Sequence, residues 1–357
     1  MQIAACYIVK DELEELDRSI HSLRNAVDEL VVVNTGTSKA ITELARSYRA
    51  KVLSFPWQDH FAKARNFALE HVKSPWIIFL DADEFFRHPK EVRPALQEAL
   101  EKDREMDAIM LLRYNIDKDA PRHFQAYDIS LRIMRNSPHL RYRGRIHEML
   151  QKGAEPLKLY YADERLALIH TGYSSGRSKQ KGLRNLHLIQ REIKEHGPSP
   201  FHEYNLSVCY FGMEAYRKAL EHALNALDSD MQLVSAQGAL YHIAIESMRQ
   251  LNMPLEDMLS LAEAAIRELP KLPEFYAERG MILSAAGRLE EAKEMLEKAM
   301  DIYDTAKVNY REESYFTPSV AAIVCQRLAT LAELRGDNTA ASQWSQRALE
   351  FSAPFYP

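Results

Sequence analysis

Trp76-Ile77-Ile78-Phe79-Leu80-Asp81-Ala82-Asp83-Glu84-Phe85-Phe86 is an apolar run that stops at three acids. A continuous apolar run of this length, bounded by polar residues, reads as a strand buried on both faces of a sheet. Its end then delivers Asp81 and Asp83 to the carboxyl edge of that sheet, where ligands bind in open α/β folds. Two carboxylates one residue apart can share a hard divalent cation, Mg2+ or Mn2+, that takes its other ligands from water and a substrate's phosphates. The competing reading is that these acids cap the next helix or face water.

Working outward, Ile3-Ala4-Ala5-Cys6-Tyr7-Ile8-Val9 precedes an amphipathic stretch to Asn25, and Glu29-Leu30-Val31-Val32-Val33 precedes a helical pattern from Ser38 to Tyr48. Lys51-Val52-Leu53-Ser54 follows, then another helical pattern from His60 to His71 that leads into the Trp76 strand. Strands alternating with short helices are the signature of a parallel sheet.

Four motifs in this half, Ile8-Val9-Lys10-Asp11-Glu12, Val31-Val32-Val33-Asn34-Thr35-Gly36-Thr37, the segment from Phe55 to Asn66, and Leu80-Asp81-Ala82-Asp83-Glu84, occur in fixed order and spacing. Together they resemble the family 2 glycosyltransferases, and within them the branch with a C-terminal tetratricopeptide array to which the sublancin S-glycosyltransferase belongs. The resemblance implies a GT-A fold, a Rossmann-like nucleotide-diphospho-sugar transferase domain. It also implies that Val9, Glu12, Asn34, Thr35, Gly36, Trp57, Arg65, Asn66, Asp81, Ala82, Asp83 and His147 line a nucleotide-sugar site. Family members usually carry acids where Asn34 and Lys39 stand. An amide at Asn34 can still bond a base edge, having both a donor and an acceptor. Lys39 is either a solvated helix-start residue or a residue that alters the nucleotide accepted.

Asp107-Ala108-Ile109-Met110-Leu111-Leu112-Arg113-Tyr114 and Ile129-Ser130-Leu131-Arg132-Ile133-Met134-Arg135 read as strands, the second alternating like a half-exposed edge region. Tyr142-Arg143-Gly144-Arg145-Ile146-His147-Glu148 follows; the resembled branch takes its acceptor-side carboxylate from this segment, which here is Glu148. A Glu within reach of the acceptor proton serves as general base; alternatively, Glu148 forms an ordinary ion pair with Arg145 or Arg143. His170, in Leu168-Ile169-His170-Thr171-Gly172-Tyr173, is either a surface or core histidine or, by match to the branch, the third ligand beside Asp81 and Asp83 of a metal on the diphosphate.

After Gly176 strand patterns disappear. A charged helix from Ser178 to His196, apolar at Leu183, Leu186, Ile189 and Ile193, ends at the breaker Gly197-Pro198-Ser199-Pro200. Beyond it, Ser207, Tyr210, Ala219, Ala223 and Ala226 share their offsets with Gly280, Leu283, Ala292, Leu296 and Ala299, and with Ala329, Ala332, Ala341, Ser345 and Ala348. Those offsets match the packing positions of tetratricopeptide helix pairs. The expected architecture is an α/β GT-A domain over residues 1–176, a connecting helix over 177–197 and an all-α tetratricopeptide-like solenoid over 198–357.

The length of 357 residues suits two cores, and the net charge of -5 argues against a nucleic-acid partner. No apolar stretch is long enough for a transmembrane segment, the first strand is not patterned as a signal peptide, and Cys6, Cys209 and Cys325 are too scattered for a disulfide framework or zinc cluster. These features and the resemblance lead to a cytoplasmic, metal-dependent, inverting glycosyltransferase that takes a nucleoside-diphosphate sugar, a UDP-sugar, to a peptide or protein side chain (Ser, Thr or Cys). Arg65 and Asn66 would position nucleotide and phosphate. Transfer to a cell-envelope glycan or lipopolysaccharide, and a non-catalytic scaffold, are the alternatives. The resemblance further implies a homodimer through the repeats, and the tail Trp344, Phe351, Phe355 and Tyr356 either anchors that dimer or caps the last repeat.

Overall fold

The computed structural model describes residues 1–117, 124–173, 178–229, 236–305 and 314–351. They divide into two units: Met1–Asn115, Ile129–Tyr173 and His187–Glu195 form the first, and the second takes the rest. The tip of one strand pair and the start of the connecting helix thus go with the second unit, where a cut near residue 176 was expected. Gly176, Phe355 and Tyr356 lie outside the described residues.

The first unit alternates as its pattern predicts: β1 (Ile3–Val9), α1 (Leu13–Leu23), β2 (Glu29–Asn34), α2 (Lys39–Ser47), β3 (Lys51–Ser54), α3 (Phe61–Leu69) and β4 (Trp76–Leu80). Then come β5 (Glu84–Phe86), α4 (Val92–Lys102), β6 (Ala108–Asp117), β7 (Phe124–Arg135), β8 (Leu140–Arg143), β9 (Met149–Lys152), β10 (Leu159–Tyr161) and β11 (Leu168–Tyr173). Among the described residues a nine-stranded sheet runs β3-β2-β1-β4-β7-β6-β11-β5, with β10 on β6, while β8 pairs with β9 separately. Parallel pairing holds from β3 to β4. It ends at β7, which lies antiparallel on β4.

Register aligns Val9 with Asn34 and Tyr7 with Leu80, so the loops after β1, β2 and β4 leave one edge of the sheet together. Strand alternation then separates two cores. Ile3, Ala5, Tyr7 and Val9 pack with α1, α2 and α4. Ala4 and Cys6 point the other way, toward α3, β8 and β9. With both faces covered, Trp76 to Leu80 are all buried, each side chain contributing about 1.5–3 kcal/mol by leaving water.

Two expectations are corrected. β7 is not an edge: it lies between β4 and β6. Its residues 127–132 are half-buried, as the alternation implies, and Arg132 among them serves a buried acid, Glu84. Glu84-Phe85-Phe86, left without an element beyond the end of the Trp76 strand, is itself a strand that pairs antiparallel with β11 and sets Glu84 opposite His170.

The second unit contains α6 (Pro200–Gly212), α7 (Tyr216–Leu227), α8 (Gln237–Gln250), α9 (Leu255–Glu268), α10 (Pro273–Ala285), α11 (Leu289–Thr305), α12 (Pro318–Leu334) and α13 (Asn338–Phe351), after the connecting helix α5 (Ser178–His196) that both units share. Most of the repeat positions are packing positions: Ser207, Ala219, Ala223, Leu283, Ala292, Leu296 and Ala299 are almost wholly buried, whereas Tyr210 and Ala332 are half-buried and Ser345 is exposed. A side chain at Gly280 would place its Cβ 2.7 Å from Leu296, so only glycine lets α10 and α11 approach this closely. Trp344 and Phe351 pack on the array's own core, with the Phe351 ring centroid 5.6 Å from that of Tyr303.

Candidate functional site

The turn Asp81-Ala82-Asp83 joins β4 to β5. Glu84 N donates to Asp81 O at 3.1 Å, and Thr171 N of β11 donates to Asp83 O at 3.0 Å, so the turn is fastened at both ends. β11 brings His170 across it, with Nε2 3.5 Å from Asp83 Oδ2. Behind the ring, His170 Nδ1 lies 2.7 Å from the amide oxygen of Asn115, both residues being buried. An amide oxygen only accepts, which places a proton on Nδ1 and turns Nε2 to Asp83.

Beside these two atoms is Gly172. A Cβ there would fall 2.3 Å from Asp83 Oδ2 and 2.4 Å from His170 Nε2, so the missing side chain keeps a small space open between carboxylate and imidazole. A separation of 3.5 Å suits two donors on one ion, since bonds of about 2.1 Å at roughly a right angle put ligands about 3 Å apart. The donor set fits a hard or borderline divalent ion such as Mn2+ or Mg2+. Asp81 is not part of it: among the described residues no three His, Cys, Asp or Glu side chains converge on one ion.

Asp81 instead takes arginines. Its Oδ1 accepts from Arg65 Nη2 at 2.9 Å and its Oδ2 from Arg132 Nη2 at 2.7 Å. Arg132 also forks onto Glu84, fully buried, which receives Arg113 Nη1 at 2.7 Å as well. Glu84 further accepts from the Asp81 amide at 3.2 Å, tying the pair to the turn. Desolvation would push the Asp81 carboxyl up, but Arg132, Arg65 and Arg113, together with His170, outweigh it and hold it well below the usual carboxylate range.

Glu148 is reached from the other side of the same cation. Arg65 Nε donates to Glu148 Oε1 at 2.5 Å. Of the two alternatives weighed for Glu148, neither arginine named is the partner found: Arg145 is held by Glu195 and, through its backbone amide, by Glu192 of α5. Arg65 lies 4.5 Å from the Phe79 ring centroid and 5.2 Å from that of Tyr142. Burial pushes the Tyr142 hydroxyl up to about 12, so it stays neutral beside this cation.

Other expected residues have internal duties. Asn34 Oδ1 accepts from Gly36 N at 2.9 Å and its Nδ2 donates to Ser38 O, so the amide shapes the loop after β2. Thr35 closes the same loop through its Oγ1 donating to Val9 O at 3.1 Å. Asn66 is engaged in both directions with the Tyr142 backbone at 2.9 Å, which fastens β8 to α3. Glu12 caps the loop after β1, accepting from Lys10 N and Asp11 N. Trp57 Nε1 donates to Asp59 Oδ1 at 2.9 Å. Gly36 stands against Lys10, where a Cβ would come 2.9 Å from its side chain. Ala82 is buried in the turn, Lys39 is the exposed first residue of α2, and His147 is exposed with φ at +51°.

Sequence reading did not single out Arg113, Arg132, Glu84 or Asn115. The available signal was a polar residue at every second position of an otherwise apolar strand, Arg113 and Asn115 in β6.

The profile described as glycosyl transferase family 2 matches residues 5–153, and a tetratricopeptide repeat profile matches residues 273–305. A TPR repeat-containing protein of Synechococcus elongatus is 30% identical over 188 residues, 51% of this chain and 45% of that protein. An uncharacterized glycosyltransferase of Rickettsia bellii is 31% identical over 133 residues, 37% of this chain and 39% of its own length. The SPbeta prophage-derived glycosyltransferase SunS of Bacillus subtilis is 22% identical over 202 residues, 54% of this chain and 45% of SunS. The chain thus spans less than half the length of these relatives. Among the described residues no helix is long and apolar enough to cross a membrane. Residues 5–153 of the chain are thus a glycosyl transferase family 2 domain, and residues 273–305 a tetratricopeptide repeat.

Proposed function

We propose that the protein is an inverting glycosyltransferase that moves a sugar from a nucleoside-diphosphate sugar, a UDP-sugar, to a nucleophilic side chain of a peptide or protein. The observation that carries this reading is that one buried guanidinium, Arg65, joins Glu148 to Asp81 in the acidic turn of a family 2 domain. Glu148 takes the acceptor proton as the acceptor atom attacks the anomeric carbon from the face opposite the leaving diphosphate, a role usually worth about a hundredfold or more in rate. Asp83 and His170 would hold Mn2+ or Mg2+. When bound, such an ion neutralises charge building on the departing diphosphate. Asn115 fixes the ring that presents Nε2, and Gly172 keeps the space clear.

The repeat array supports a polypeptide acceptor, since stacked helix pairs present extended binding surfaces, and likeness to SunS points the same way. A glycan or lipopolysaccharide acceptor leaves the array only a dimerising role. In either case we place the reaction in the cytoplasm and the array at a homodimer contact, which light scattering at micromolar concentration tests.

The test of the activity is a panel of sugar nucleotides assayed for hydrolysis and for thermal shift with and without manganese. A UDP-sugar that is hydrolysed and raises Tm only with the metal is the expected result. Absence of both responses across the panel contradicts the proposal and leaves the non-catalytic scaffold as the better reading.

A further inference from the structure

Arg65 is 4% exposed and sits on α3, between the rings of Phe79 and Tyr142. Its Nε serves Glu148 and its Nη2 serves Asp81, while Nη1 is buried without a hydrogen-bond partner. Asp81 is in turn held by Arg132, and Arg132 by the fully buried Glu84. The loop that carries Glu148 has no regular backbone pairing of its own between β8 and β9 and contains two left-handed residues, Gly144 at φ +101° and His147 at φ +51°. Its backbone is held where Phe61 N donates to Arg145 O at 2.8 Å and where Met149 pairs with Arg143, which fixes the Glu148 backbone and leaves the carboxylate to be aimed by what it bonds. The bond found on that carboxylate is the one from Arg65 of α3.

Resting on the reading of Glu148 as the base, we propose that Arg65 is its positioning residue: a guanidinium clamped by two rings and by Asp81 that fixes where the Glu148 carboxylate points. The requirement is for a planar fork, because Nε and Nη2 bond two different carboxylates on one rigid frame. A lysine offers a single point charge on a flexible stem and cannot reproduce both bonds in register. Family resemblance assigned Arg65 to the nucleotide. The geometry points instead to the acceptor side of the reaction.

The experiment is a double-mutant cycle of R65K, E148Q and R65K/E148Q. Turnover is measured on whichever of UDP-glucose, UDP-galactose and UDP-N-acetylglucosamine the parent hydrolyses fastest with manganese. R65K is expected to lower kcat by roughly 10–100-fold, with donor KM changed by less than about threefold, as a misplaced base lowers rate without weakening ground-state binding. Residues acting as a unit are non-additive, so R65K/E148Q is expected to be no slower than E148Q. A full further loss in the double variant, or a raised donor KM in R65K at unchanged kcat, makes Arg65 a substrate-binding residue and overturns the proposal while the base assignment stands. An E148Q protein as active as the parent overturns the base assignment and this inference with it. Should R65K fail to fold, Tyr142→Leu removes one face of the clamp and leaves every charge in place; lowered kcat at constant donor KM is expected, and parental kcat overturns the role.

Discussion

His170 Nε2 faces Asp83 Oδ2 at 3.5 Å across a space that a single Cβ on Gly172 would fill. Gly172→Ala therefore puts a methyl where an ion would sit. The backbone there does not require positive φ, so the variant is expected to fold. It should lose the manganese-dependent rise in Tm, and without metal melt somewhat below the parent because the Asp83 and His170 side chains must give way to the methyl. An unchanged response to manganese would remove this pair from the metal site.

Asn115 tests the same pair from behind. Replacing it with Leu removes the acceptor that holds His170 Nδ1 and frees the ring to turn. Loss of such an outer partner typically lowers metal affinity 10–100-fold. Titration of manganese by calorimetry should show that drop, and parental affinity would mean the ring needs no support.

How much of this arrangement could be read from sequence depends on the range of each interaction. The order from β1 to β4 was legible because each strand is buried on both faces and each helix shows its period within one window, as in Ile3–Val9 and Leu13–Leu23. The strand β5 was not, since three residues carry no period and Glu84 looks like the end of an acidic cap; its pairing with Leu168–His170 is set 84 residues downstream. Arg132 alternates with apolar neighbours as a surface residue would, and only the fold reveals that its partner Glu84 is fully buried. Asp83 was legible from the apolar run that ends at it, and His170, Glu148 and Arg65 were named through resemblance to a family, whereas the bonds that set Arg65 between Glu148 and Asp81, and Arg132 between Asp81 and Glu84, were visible only in three dimensions.

Glu84 is expected to matter for stability. It is wholly buried, yet it pairs with Arg113 and Arg132 at 2.7 Å each. Removing one partner of a buried ion pair costs about 3–5 kcal/mol because the remaining charges stay buried and uncompensated. Urea unfolding of Glu84→Ala should show a loss of that order, and Glu84→Gln, which keeps an acceptor, a smaller one. A loss below 1 kcal/mol for the alanine variant would contradict the pairing.

The array carries an acid of opposite behaviour. Burial pushes the Glu274 carboxyl up to about 7, Glu278 adding to the effect, against hydrogen bonds from the Tyr315 amide and Ser314 that pull it down. A raised folded pKa means that the folded state binds more protons than the unfolded one between about pH 4.5 and 7. Its stabilising contribution is present below about 4.5 and is lost as pH rises through 7, by roughly 3 kcal/mol in all. His242, whose imidazolium Glu278 favours at 2.6 Å against the effect of burial, slopes the same way. Glu274→Gln should flatten the fall in stability between pH 5 and 8 and be the more stable protein at pH 8; a fall as steep as the parent's would place the titration elsewhere.

The most direct test of the glycosyl-transfer account is the turnover of Glu148→Gln at saturating UDP-sugar, with donor affinity measured on the same protein. If Glu148 accepts the acceptor proton, turnover should fall by about a hundredfold or more while donor affinity stays within a few-fold of the parent. Unchanged turnover, or lost donor affinity with the rate per bound donor intact, would contradict it.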